Sequence, residues 1–372
     1  MRIYLDHNAG APLRAEVRAT MLAVLDAPAN PSSAHREGAR ARAALETARA
    51  EVAALVGARP AEIVFTSGAT EANNLALRGS TGGIVTTAIE HASVLETARS
   101  LARPLAVVPV DSEGRVAADM VAAAAGSGTG IASVGLANGE VGSVAPIADV
   151  AALLRPRGIL VHTDAAQAAA WMAIDVGALG VDLLSLSAHK LGGPAGVGAL
   201  WVRPGVRLAP QLTGGSQERG RRAGTENVAG IVGFGVVARL ARAERDDAAR
   251  RAAGTVDHLW DGIRTRIPGA VRHGPPAGER LPNTLNVRFA GCAGESLLVL
   301  LDLAGIAVSL GSACAAGSAE PSHVLLAMGL DAEAARSAIR ISIGPATTVG
   351  DIDRILEVLP LLVAQVRGEQ AA

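Results

Sequence analysis

Lysine is almost missing from this chain: of the 34 lysines and arginines, a single one, Lys190, is lysine. Wherever a positive charge alone serves, the chain uses a guanidinium, which stays protonated and cannot act as an amine nucleophile. A desolvated lysine can, by forming a Schiff base with a carbonyl. Aromatic residues make up only 2% of the 372 positions, which excludes the stacking platforms of single-strand nucleic-acid binders. A net charge of −1 removes the electrostatic basis for binding DNA, RNA or an anionic membrane. Two cysteines, Cys292 and Cys314, are too few for a disulfide framework or a Cys-based zinc site, so no metal is expected. The longest uncharged run, Met120 to Gly139, is broken by glycine and serine and is too polar to span a bilayer. Charges scattered through the first twenty residues (Arg2, Asp6, Arg14, Glu16, Arg18) leave no secretory h-region. A reducing, cytoplasmic location is the expectation.

What is present is apolar bulk: 49% of the chain, built of Ala, Val, Leu and Ile. That is ample for one large α/β domain and a smaller second one. Lys190 follows Val181-Asp182-Leu183-Leu184-Ser185-Leu186, a run that reads as a buried strand, and precedes the turn Gly192-Gly193-Pro194. Coding bias toward arginine can leave a lone lysine by chance, but drift favours a charged surface helix over this position. A chemical role is the stronger reading, and pyridoxal phosphate (PLP) is the obvious carbonyl partner.

Taken in order, Asn30-Pro31-Ser32-Ser33-Ala34-His35 predicts a cap at Ser32 or Ser33 for a long helix ending near Gly57. Asn30 and His35 are either ligand-binding or capping groups. Glu62 to Thr66 reads as a strand, and Ser67-Gly68-Ala69-Thr70-Glu71-Ala72-Asn73-Asn74 opens a helix directly after it. That junction is an anion cradle. It lacks both GxGxxG and GK[ST], so a single phosphate suits it best. Strand and helix signals then alternate, which predicts a mainly parallel sheet with helices on both faces and ligands beyond the strands' carboxyl ends. Thr66–Thr70, His91, Asn138–Glu140 and Asp164 fall at such ends. Asp164 either holds a pyridine nitrogen protonated or caps a helix; His162, two residues before it, reads as structural.

Beyond Val202 the arginines at 219, 221 and 222 mark a solvated loop or an anion site. A long helix from Ala229 to about Arg266 leads to strands Thr284–Phe289 and Ile306–Leu310. The run Gly311-Ser312-Ala313-Cys314-Ala315-Ala316-Gly317-Ser318 then offers a thiol among small residues, a nucleophile candidate. Cys292, in a turn, reads as incidental. Arg340, in an alternating strand, either holds a carboxylate bidentately or pairs with an acidic neighbour.

Tyr4-Leu5-Asp6, Asn30-Pro31-Ser32-Ser33, Phe65 to Glu71, Glu90-His91, Asp164-Ala165-Ala166-Gln167, Ser187-Ala188-His189-Lys190, Glu218-Arg219-Gly220, Gly224-Thr225 and Gly311-Ser312-Ala313-Cys314 together resemble the PLP-dependent cysteine desulfurases. The likeness covers residues from about 3 to 360, in family order, and the cysteine loop is similar to the long-loop group serving iron–sulfur clusters and nitrogenase. It implies PLP-dependent transferase fold type I (aspartate aminotransferase-like), with a large domain at 15–255 and a small one from 1–14 and 256–372. It implies a homodimer that turns L-cysteine into L-alanine and hands the sulfur to an acceptor protein. Lys190 would carry the cofactor and move protons, Asp164 meet the pyridine nitrogen, Gln167 the phenolic oxygen, and His91 stack on the ring and assist proton transfer. Ala69, Thr70, Ser187 and His189 would hold the phosphate, with Thr225 from the partner subunit; Arg340, with Asn30, would hold the substrate carboxylate; Cys314 would take the sulfur. Asn138-Gly139-Glu140 departs from the family by lacking a second asparagine, and Gly10-Ala11 stands where paired threonines are common. The alternatives are a selenocysteine lyase or aminotransferase on the same fold, a non-catalytic subunit, and a PLP-free hydrolase using Cys314 with His91 or His323.

Overall fold

Short apolar runs separated by polar turns set the architecture of the computed structural model, which describes residues 2–27, 30–311 and 320–368. After β1 (Ile3–Tyr4), seven strands form one sheet: β2 (Ile63–Thr66), β3 (Gly83–Thr87), β4 (Leu105–Val108), β5 (Thr129–Ser133), β6 (Leu160–Asp164), β7 (Leu183–Ser187) and β8 (Gly198–Val202). Their spatial order is β2-β8-β7-β6-β5-β3-β4. The run from β4 through β7 is parallel, while β8 lies antiparallel between β7 and β2. Strands buried on both faces need side chains that are apolar in both directions, which is why β7 and β8 carry no charged residue. His162 on β6 is a buried polar residue of the sheet that is satisfied by its neighbours: its ring bridges Ser133 of β5 (2.8 Å) and Ser185 of β7 (2.9 Å). Burial holds it near pKa 4, hence neutral, and its role is structural as expected.

β4 sits at the edge beyond β3, so the chain reverses direction across the sheet between β3 and β5. Such a switch point opens a crevice at the strands' carboxyl ends. The segments leaving β3 (Ile89-Glu90-His91) and β5 (Val134 to Glu140) both line the cavity there.

The remaining strands lie apart from the large sheet. β9 (Ala270–His273), β10 (Thr284–Phe289) and β12 (Ala338–Ser342) form an antiparallel trio in the order β12-β10-β9, and β11 (Ile306–Ala307) pairs in parallel with β1, Ile3 opposite Ile306. The first residues of the chain are therefore held by its last third; Asp6 also bridges to Ser342. The helix Val228–Arg266 passes through position 255 without a break. Its first half packs on the helix Arg36–Leu55, with Gly235 against Ala48, and Gly262 near its end meets Leu356 of the helix Val349–Arg367.

Two details depart from expectation. The helix after Ser32-Ser33 begins at Arg36, and its cap is His35, whose Nδ1 accepts the N–H of Gly38 at 3.2 Å. Asn30 instead closes a turn, its Oδ1 accepting the N–H of Ser32 at 2.9 Å. Further on, Glu218 and Arg219 adopt left-handed backbone (φ 45° and 58°), a conformation that persists in such residues only when the surroundings enforce it. They are enforced: the buried Glu218 carboxylate accepts two N–H groups of Arg49 (2.7 and 2.8 Å) and the backbone N–H of Phe65 (2.9 Å). Cys292 is buried in the core, where burial raises its thiol pKa.

Candidate active site

A cavity of about 690 Å³ opens at the switch point. The start of the helix Ala69–Gly79 lines it: Gly68 precedes that helix without a capping side chain, which leaves the first turn, with Ala69 and Thr70, suited to an anion. Glu71 steadies this turn by accepting the N–H of Ser67 at 2.7 Å and the Arg222 guanidinium at 2.9 Å. Ser187 and His189 line the same wall, with Ser187 Oγ at 2.9 Å from His189 Nδ1. Burial beside the Lys190 charge keeps His189 near pKa 4, so it presents a neutral ring.

Lys190 follows β7 and its Nζ donates to the carbonyl oxygens of Asn8 and Ala9, the latter at 3.1 Å. Asn8 is buried and is the hub of this end of the site. Its carbonyl also accepts Gln167 Nε2 (3.1 Å), its amide donates to Gly139 O (2.9 Å) and Thr284 Oγ1 (2.8 Å), and its Oδ1 accepts from Asn283 (2.8 Å). Asp164, at the end of β6, has one carboxylate oxygen on the Ala166 N–H (2.9 Å) and the other on Asn73 Nδ2 (2.7 Å). Asn73 and Asn8 were not singled out from the sequence. The only signal at Asn73 is a polar residue on the otherwise apolar buried face of an amphipathic helix.

His91 begins the helix Ala92–Ser100, and its Nδ1 accepts the N–H of Ser93 at 3.0 Å. The neutral ring therefore carries its proton on Nε2. Although accessible from the cavity, the ring is walled in enough to lower its pKa below the usual value, an effect that the Asp164 charge opposes. Glu90 beside it is fully enclosed. Burial pushes its carboxyl up to about 7, against hydrogen bonds from Thr87 (2.6 Å) and the Gly135 N–H (2.9 Å).

At the other end Arg340, on β12, enters from the small sheet. Its Nη2 pairs with Asp6 at 2.6 Å and its Nη1 donates to Gly139 O at 3.2 Å, while its buried Nε has no partner among the described residues. The acidic neighbour expected for Arg340 is thus Asp6.

Of the residues singled out from the sequence, Ala69, Thr70, His91, Asp164, Gln167, Ser187, His189, Lys190 and Arg340 line this one cavity. Asn30 does not; its amide is committed to the turn that precedes a helix. Thr225 is exposed and outside the cavity of its own chain. Cys314 lies outside the described residues. Among the described residues no group of His, Cys, Asp and Glu is disposed to hold a metal. An amine, a hydrogen-bonded carboxylate and an anion cradle in one cavity fit a phosphorylated aldehyde with a basic ring nitrogen.

The model of the aminotransferase class-V family matches residues 3–355. The chain is 43% identical over 376 residues to cysteine desulfurase IscS of Dictyoglomus turgidum, covering 98% of this chain and 95% of that one. It is 45% identical over 378 residues to a cysteine desulfurase of Cereibacter sphaeroides, covering 98% and 97%. Among solved structures, a NifS-like protein superimposes with a TM-score of 0.92 at 36% identity, covering 98% of this chain and 100% of the other. SspA in complex with cysteine gives a TM-score of 0.81 at 34% identity over 94% of this chain.

Proposed function

Because this chain belongs to the aminotransferase class-V family, and within it to the cysteine desulfurases, we propose that it converts L-cysteine to L-alanine and carries the sulfur away as a persulfide on Cys314. The observation that carries this reading is the meeting of Lys190, Asp164 and the Ala69–Thr70 cradle in one cavity with Arg340 at its far end. PLP, when bound, supplies an electron sink for the charge left at the substrate α-carbon.

The chain's own residues do the rest. Asp164 holds the ring nitrogen protonated and is kept in place by Asn73; Gln167 serves the phenolic oxygen; Ala69, Thr70, Ser187 and His189 serve the phosphate. Arg340 takes the substrate carboxylate on its unpartnered Nε edge. Lys190 would move the α-proton, and His91, whose imidazole carries its proton on Nε2, would stack on the cofactor ring and assist proton transfer. The Cys314 thiolate would attack the substrate sulfur, forming the S–S bond of the persulfide as the substrate Cβ–Sγ bond breaks; the electron pair of that bond stays on the carbon skeleton, which takes up a proton to leave as alanine. The exposure of Thr225 outside its own cavity supports a homodimer in which it completes the phosphate site of a second copy. The small-domain assignment of 1–14 and 256–372 is supported by the β1–β11 pairing. No described helix is long and apolar enough to cross a membrane; a cytoplasmic setting and an iron–sulfur or other sulfur acceptor complete the proposal.

The test is alanine release from L-cysteine with a thiol reductant, wild type against Cys314→Ala. Release by the wild type alone is expected; release undiminished in the variant overturns the role of Cys314. The variant's activity on selenocysteine separates a desulfurase from a selenocysteine lyase.

Gly139 adds a second prediction. A side chain there would place its Cβ 2.6 Å from the Gln167 amide nitrogen, so Gln167 occupies the room that an asparagine at 139 would need. Gly139→Asn is expected to push Gln167 from its hydrogen bond, weaken PLP binding about fivefold and shift the absorption of the bound cofactor. Titration of the apoprotein with PLP, followed by absorbance, checks this; unchanged affinity and spectrum would mean that Gln167 yields freely.

A further inference from the structure

Glu140 is 4% exposed, and among the described residues neither of its carboxylate oxygens has a hydrogen-bond partner. An ionised carboxylate left so is costly, whereas the neutral acid is tolerated. The residue is not a packing accident, because its backbone is locked into place from several sides. Asn138 Oδ1 accepts the N–H groups of Glu140 (2.8 Å) and Val141 (3.0 Å), and Asn138 Nδ2 donates to Ile89 O (3.0 Å). Gly139 O is held by both Asn8 and Arg340. The side chain so aimed lines the same cavity as Lys190 and Arg340. It also fills the space beside Gly311, whose φ of +121° and contact with this carboxyl both demand glycine.

The charges around it come from several elements. Arg340 on β12 is the cation whose charge acts on Glu140, and Asp6 is paired with that guanidinium. His323, the first residue of the helix His323–Ala327, and Glu320, ahead of that helix, border the cavity. Ser322 is close enough to act on the carboxyl electrostatically but falls outside hydrogen-bonding geometry. The Arg340 charge is already half satisfied by Asp6, and among the described residues its Nε edge has no partner. A second carboxylate beside it would contend for that edge with any ligand carboxylate.

We propose that Glu140 is a positioning residue for the substrate: as the neutral acid it leaves Arg340 to the incoming α-carboxylate, and once ionised it competes with that carboxylate for the guanidinium. This rests on the reading of Arg340 as the carboxylate's partner in a cysteine desulfurase. Burial pushes the Glu140 carboxyl up to about 7, against the pull of Ser322 and Arg340, so the exchange falls within the working pH range.

The experiment is the binding of L-alanine, which carries the carboxylate without a titrating thiol, to the PLP-loaded wild type and Glu140→Gln between pH 6 and 9. The ratio of the two affinities cancels the titrations of the ligand amine and of Lys190. Wild-type affinity relative to E140Q is expected to fall about tenfold from pH 6 to pH 8; ethylamine, which lacks a carboxylate, is expected to show no such fall. A flat ratio for L-alanine, or an equal fall for ethylamine, overturns the proposal. Absence of any binding of L-alanine or L-cysteine to the wild type overturns the underlying reading as well, and so is a distinguishable failure. A readout without cofactor stands beside it. A carboxyl whose folded pKa is raised contributes stability that is lost as pH rises toward about 7. The apoprotein's melting temperature is therefore expected to decline over pH 5 to 8 more in the wild type than in E140Q, and parallel declines count against a neutral Glu140.

Discussion

Lys190→Ala is expected to give a folded protein that releases no alanine from L-cysteine, a loss on the order of 10³-fold or more. The size of the effect follows from the composition as much as from the site. No other lysine exists in the chain to substitute, and the 33 arginines remain protonated and cannot form the Schiff base. Lys190→Arg is therefore expected to fail equally, although it keeps the charge and can still reach the carbonyls of Asn8 and Ala9 that hold the amine. The fold should survive both changes, since these contacts are to backbone oxygens at a half-buried position rather than within the core. Reduction of the PLP-loaded wild type with borohydride, followed by peptide mapping, checks the assignment directly. The label is expected on the peptide containing Lys190 and nowhere else along the chain. Alanine release within tenfold of wild type by either variant would refute it.

The second large effect concerns stability rather than chemistry. Glu218→Ala is expected to cost about 3–5 kcal/mol, read as a fall in the urea midpoint of the apoprotein. Both partners of the Arg49–Glu218 pair are buried, with side chains 4% and 2% exposed. Removing the carboxylate leaves a buried guanidinium with the Ile63 carbonyl, the outlying Glu46 and the face of the Phe65 ring as its remaining described partners. It also strips the Phe65 N–H of its acceptor and releases the two left-handed residues at 218 and 219. The consequence for binding is local. Phe65 is on the strand that runs into the phosphate cradle, and the loop that Glu218 anchors continues to Arg222, the partner of Glu71, and to Thr225. PLP retention is expected to fall together with stability. A midpoint within about 1 kcal/mol of the wild type would mean that the pair is worth no more than an exposed one.

The large-scale plan was legible in the chain because hydrophobic alternation and glycine punctuation are local signals. Thr284 to Phe289 is a strand as read, and the helix read as Ala229 to Arg266 begins one residue earlier, at Val228. The ends of strands and the caps were less legible. Ser32 and Ser33 have the right chemistry for a cap, yet His35 takes the position, because a cap is decided by where the chain turns and not by residue type. Of the site, Lys190 and Asp164 could be placed by their position at strand ends. Asn8 and Asn73 could not, since each acts through contacts to residues far away in sequence: Asn8 with Gln167, Lys190 and Asn283, and Asn73 with Asp164. Glu140 was visible as part of a motif, but its want of hydrogen-bond partners is a property of the packed interior alone.

The pairing of β1 with β11 has a consequence for how the protein comes into being. Ile3 and Tyr4 leave a ribosome about 300 residues ahead of their strand partners, Ile306 and Ala307, and Asp6 waits for Arg340. At ordinary synthesis rates of about 5–20 residues per second, that is a delay of roughly 15–60 s. Over the last third of it the large sheet, complete by Val202, can already have formed. The segment that carries Asn8 and steadies Lys190 then docks last, closing a long loop at little extra entropic cost. The nascent protein would thus acquire its anion cradle well before its lysine was steadied and its arginine paired.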